Sequence, residues 1–91
     1  MPEQPGADPI LAELREQIAA IDLAILEAFN RRLEVVAEIR RHKLEHDLPF
    51  VDLGREEWLL RHLVEQNPGP LSEAGLRELY AKLLDLAKRE A

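Results

Sequence analysis

From Pro9 to about His46 the chain repeats apolar residues in alternating steps of three and four, and this run dictates one long amphipathic helix. Leu11, Ile18, Ile25 and Ile39 form one row, and Leu14, Ile21, Ala28 and Val35 form the other. Sustained over heptads, the two rows make a continuous seam suited to another helix. At about 1.5 Å per residue, the helix spans roughly 55 Å. Residue 32 falls on the first row, and it is an arginine. One turn away on either side stand Ala28, Phe29, Val35 and Val36, so its own helix offers it no acid. Arg15 lies in the same way between Leu11, Ala12, Ile18 and Ala19. Taking a guanidinium out of water is costly unless an anion compensates it, so both arginines look for one elsewhere.

The remainder of the chain is read by its caps and breakers. Residues 1–7, with two prolines, a glycine and little that is apolar, read as a flexible N-terminal tail ahead of one helical domain over 8–91. Asp8 is a good N-cap, and Pro9 sits at the first helical position, where a missing N–H costs nothing. Pro49 stops the helix by about Leu48. After a short connector, Asp52 caps a second helix from Leu53 to about Gln66, with Leu59, Leu60, Leu63 and Val64 on its apolar face and Trp58 beside them. Asn67-Pro68-Gly69-Pro70 ends that helix. Ser72 caps a third, whose face is Leu76, Leu79, Tyr80, Leu83, Leu84 and Ala87. Nothing reads as strand or repeat. The fold class is all-α, with one long, one short and one medium helix. Two short followers cannot cover the long seam, so it is expected to meet a second copy in an intertwined homodimeric helical bundle.

Composition removes several classes of partner. The net charge of −6 argues against nucleic acid and against anionic membrane surfaces. With no cysteine there is no disulfide framework and no thiolate zinc site. No apolar run approaches a membrane span and no signal peptide opens the sequence, so a cytoplasmic location is expected.

Sorting charges by whether their own helix satisfies them isolates a small set. Glu27 can pair with Arg31, Glu38 and Glu45 flank Arg41, Glu57 and Glu65 flank Arg61, and Glu78 faces Lys82, which reads as solvated faces. Left over are Arg15, Arg32, Lys43, Arg55 and Glu56. Lys43 follows Arg32 by eleven residues, nearly three full turns, on almost the same face and about 16 Å away. Arg15 precedes Arg32 by seventeen residues, about 25 Å along a straight helix, so the two reach one small ligand only across an antiparallel pair of chains. Arginines grip carboxylate or phosphate through bidentate, charge-assisted bonds, and two of them with a lysine suit a small dianion. Glu56 is placed to accept from a hydroxyl. Taken singly, each cation reads as a side chain snorkelling to water; taken together, they read as an anion site. No nucleophile–base pair and no glycine-rich phosphate loop is present. His42 and His46 share a helix face, but two ligands without a third do not make a metal site.

Leu14-Arg15-Glu16-Gln17-Ile18, then Ile21-Asp22, Arg31-Arg32, Lys43, Pro49 and Asp52-Leu53-Gly54-Arg55-Glu56 form a series that resembles the all-helical, type II chorismate mutases. The spacing matches without a gap from Arg15 to Arg55, and the third helix follows at lower similarity. The resemblance implies a Claisen rearrangement of chorismate to prephenate, in phenylalanine and tyrosine biosynthesis, with no cofactor, metal or covalent intermediate. It implies that Arg32 and the partner subunit's Arg15 clamp the two carboxylates, while Lys43 donates to the ether oxygen. It assigns Glu56 and the Asp52 backbone to the ring hydroxyl, and Arg55 to added positive potential. The chain departs from the family where a third-helix serine and, four residues later, a glutamine or glutamate are common. Those substrate-binding positions fall on Ala87 and Ala91, and Glu90 is one residue early, about 100° around the helix. Asn67-Pro68-Gly69-Pro70 is similar to copies fused ahead of the aldolase-type synthase that opens the shikimate pathway. Two alternatives therefore stand beside the mutase: a weakly active domain sensing prephenate or chorismate for such a synthase, and an isochorismate pyruvate-lyase.

Overall fold

The structure, a computed structural model, describes residues 8–91; the expected tail over 1–7 lies outside the described residues. Three helices follow one another: α1 (Pro9–Glu45), α2 (Leu53–Gln66) and α3 (Glu73–Glu90). No strand occurs among the described residues. The chain divides into two compact units, Met1–Arg32 and Leu33–Ala91, and α1 contributes to both.

The first unit is the N-terminal part of α1. Asp8 caps it, its carboxylate accepting from the Ile10 and Leu11 N–H groups at 2.9 and 3.2 Å. The two apolar rows lie open: Leu11, Leu14, Ile18, Ile21 and Ile25 are all exposed, Ile25 by 60%. Leu23 and Leu26 are exposed as well, and at about 100° per residue they stand well away from the seam. This stretch is apolar on more than one face.

The second unit packs the C-terminal part of α1, α2 and α3. Here α1 ends in a left-handed cap: Asp47 has φ +53°, the Leu48 N–H donates to Lys43 O at 2.8 Å, and the Asp47 N–H reaches Leu44 O at 3.5 Å. The chain thus leaves the helix before Pro49 obliges it to. Asp52 caps α2 by accepting from the Arg55 N–H at 3.0 Å, and Ser72 caps α3 through the Gly75 N–H at 3.0 Å. Between them, Asn67 accepts from the Gly69 N–H at 3.0 Å and donates to Leu71 O at 2.8 Å, bracing the turn. Among the described residues only Leu76 and Ala87, both on α3, are buried. Leu59, Leu60, Leu63, Val64, Tyr80, Leu83 and Leu84 are half-buried, while Leu79, expected on the same apolar face, is exposed.

Two polar links hold α3 to its neighbours. Arg40 of α1 donates from Nη2 to Lys88 O at 2.9 Å and from Nη1 to Ala91 O, gripping the last turn of α3. Lys88 in turn pairs with Glu56 of α2, Nζ to Oε1, at 3.0 Å.

Candidate functional site

In the first unit, Arg15 and Arg32 differ. Arg15 is exposed and, with Ile18, Ala19 and Asp22, lines a shallow groove of about 310 Å³. It is not without a partner, so its reading as an unpaired cation is corrected. That reading counted only acids one turn away on the same helix. Arg32 keeps the property its sequence position suggested. It is half-buried, and its Nη1 is buried with no hydrogen-bond partner among the described residues. An orphaned guanidinium nitrogen is a standing energetic cost.

In the second unit, Lys43 is half-buried and donates from Nζ to Phe50 O at 3.2 Å. With Leu44, Asp47, Leu48, Pro49 and Phe50 it lines an open cleft of about 380 Å³. The bond to Phe50 O is to a neutral carbonyl, so it leaves the positive charge uncompensated there and two N–H donors to spare. Asp52 is exposed and spends one carboxylate oxygen on the Arg55 N–H, while its carbonyl accepts from the Glu56 N–H at 3.2 Å. The side chain is thus committed to the cap.

Arg55 and Glu56 both have partners that a search along their own helix for opposite charges does not find. The Arg55 guanidinium lies 4.4 Å from the centroid of the Trp58 ring, which stacks in turn on His62 at 4.9 Å. The cation is held by an aromatic face on its own helix. Glu56, expected to lack a good partner, takes Lys88 from α3. Lys88 and Arg40 are the two residues that the sequence reading missed. The only signal for Lys88 was indirect: the acid three residues before it, Asp85, pairs with Arg89 at 3.5 Å. Ala87 is 4% exposed and supplies no polar group, and the Ala91 N–H is spent on Ala87 O at 3.0 Å.

His42 and His46 stack with centroids 4.2 Å apart, and His46 Nδ1 donates to His42 O at 2.9 Å. No cluster of three or more potential metal ligands occurs among the described residues. No described helix is long and apolar enough to cross a membrane.

Residues 14–91 match the family model described as Chorismate mutase type II. Two curated relatives, each named Bifunctional chorismate mutase/prephenate dehydratase, come from Stutzerimonas stutzeri and Pseudomonas aeruginosa. Each is 29% identical over 79 residues, covering 81% of this chain. The chain spans 22% of the length of those relatives. Their second activity is a dehydratase, whereas the Asn67–Pro70 turn had suggested fusion to a synthase. Among solved structures, form II of chorismate mutase from Thermus thermophilus superposes with a TM-score of 0.84 at 30% identity, covering 87% of this chain and 90% of that one. Form I of the same protein gives 0.82 at 31% identity, covering 85% and 96%.

Proposed function

The chain belongs to the chorismate mutase type II family, and from that premise we propose that it is a cytoplasmic, cofactor-independent chorismate mutase that works as a homodimer. The observation that carries the reading is Arg32: a buried, unpartnered guanidinium nitrogen at the position where the family places a carboxylate clamp. The dimer is supported by the open apolar rows of α1 and by Leu23 and Leu26 on a further face.

The roles follow the resemblance residue by residue. Arg32 and the partner subunit's Arg15 hold the two carboxylates of chorismate and fold its enolpyruvyl chain over the ring. Restricting the flexible ether to a reactive, chair-like conformer supplies part of the rate as prepaid entropy. Lys43 donates to the ether oxygen, where negative charge grows as the C–O bond breaks and the C–C bond forms. Because that charge is largest in the transition state, the interaction lowers the barrier rather than merely tightening binding. Glu56 and the Asp52 backbone receive the ring hydroxyl, and Arg55 adds positive potential. No proton moves and no bond to the protein forms.

A second reading is favoured by one observation. Ala87 is buried and Ala91 has no polar side chain, so the third helix offers neither of the donors common at those positions in the family. A site thinned in this way suits a domain that binds chorismate or prephenate and turns it over slowly in the service of an associated enzyme. An absorbance assay for chorismate loss, with the product identified, tests both. Prephenate formed at an enzymatic rate supports the mutase. Binding without turnover supports the sensor, and pyruvate release from isochorismate would instead identify a lyase.

A further inference from the structure

We propose that Lys88 is a positioning residue that orients Glu56 toward the ring hydroxyl of the substrate; the inference rests on the chorismate mutase reading above. Glu56 stands on the first turn of α2 with its side chain 29% exposed, and Lys88 Nζ is 3.0 Å from its Oε1. A carboxylate has two oxygens with room for several donors, so an ammonium bound at Oε1 leaves Oε2 free to accept from a hydroxyl. The same bond restricts the glutamate's rotation, which otherwise must be frozen when the ligand arrives.

A lysine side chain is itself flexible, so it positions another group only if its own backbone is fixed. Arg40 provides that: its two terminal nitrogens bind Lys88 O and Ala91 O, holding the turn from which Lys88 projects. Asp85, the acid one turn back along α3, pairs with Arg89 at 3.5 Å instead. A chain of polar contacts therefore runs from Arg40 through the last turn of α3 and Lys88 to Glu56. It brings a cation to the hydroxyl-binding glutamate from the very turn on which Ala87 and Ala91 contribute no donor of their own.

Steady-state kinetics on the full chain test this, using Lys88→Met, Lys88→Arg, Glu56→Gln and the Lys88→Met/Glu56→Gln double variant. Lys88→Met should lower kcat/KM by about tenfold, Lys88→Arg should restore most of it, and the loss should vanish in the Glu56→Gln background. With a chorismate analogue that has hydrogen in place of the ring hydroxyl, Lys88→Met and the unaltered chain should be alike. A purely structural lysine would penalise both substrates equally. If the unaltered chain leaves chorismate unconverted, the mutase reading falls and this inference with it. If it converts chorismate while Lys88→Met stays at full activity, or if the loss persists with Glu56→Gln or with the analogue, the inference alone is overturned.

Discussion

The Leu48 N–H donates to Lys43 O at 2.8 Å, so the residue whose ammonium reaches into the connector also closes the long helix with its carbonyl. Backbone and side chain of Lys43 are thereby tied to the same short loop, Asp47 to Phe50. Its position depends on the left-handed Asp47 as much as on α1.

That dependence gives the first prediction. A left-handed conformation is strained for any residue with a Cβ, and Asp47 has φ +53°. Asp47→Gly should stabilise the fold by about 0.5–1 kcal/mol, after allowing for the greater freedom of glycine in the unfolded chain. Asp47→Val should destabilise it by more than that. Thermal unfolding of both variants at one protein concentration checks the order.

Assembly provides the second. If α1 is covered by a second copy, folding and association are linked, and the melting temperature should rise with protein concentration. Sedimentation should show a dimer at micromolar concentration. A stable, folded monomer under those conditions would remove the basis for a shared site.

The third prediction separates stability from function at Arg32. Arg32→Met removes the orphaned Nη1 and fills the same space with apolar atoms, so it should leave stability equal or raise it, by up to about 1–3 kcal/mol. The same change should cut kcat/KM by roughly tenfold to more than a hundredfold, through loss of a charge-assisted bond to carboxylate. Unchanged kinetics would reduce Arg32 to a snorkelling side chain.

Mixed dimers supply the fourth. Arg15→Ala and Arg32→Ala should each be nearly inactive alone, because each damages every site. Refolded together at equal amounts, half the dimers are mixed, and each mixed dimer holds one intact site and one doubly damaged site. Activity should recover to roughly a quarter of the unaltered level. Absence of recovery, with mixed dimers verified by mass, would place both arginines in one subunit's site.

The fifth concerns Lys43. A donor that meets charge appearing only during bond breaking should affect kcat, not KM alone. Lys43→Ala should lower kcat by on the order of 10²–10³, as the loss of a single oxyanion donor does. Lys43→Arg should rescue only in part, because a planar fork does not reproduce a point charge. A raised KM with kcat unchanged would mean that Lys43 only attracts the dianion.

The parts of the structure legible in the sequence are those set by neighbours within a few residues. Asp8, Asp52 and Ser72 each cap the helix they were expected to cap, because a cap is a bond to an N–H two or three residues away. Arg32 could be recognised because an interrupted apolar row needs no knowledge of the other helices. Glu56 could not be read correctly, since its partner is thirty-two residues on and comes from a different helix. Arg40 was equally hidden: backbone carbonyls at a helix end attract a guanidinium, but they carry no signature in the residue letters. Arg55 differs from both. Trp58 lies three residues along the same helix, so the pairing was available to a reading that counted aromatic rings as partners for cations.

Among the described residues Leu76 and Ala87 alone are buried, the other core-facing side chains being only half-buried, and this shapes the heat capacity of the protein. The heat-capacity increment of unfolding comes mainly from apolar surface newly exposed, and a single chain whose apolar side chains are mostly half-buried or exposed has less of it to expose. In a dimer most of the increment would therefore belong to the encounter of two chains rather than to the folding of one. Calorimetry of dissociation would then carry the curvature of the stability curve, and cooling would loosen the pair before it loosened the helices.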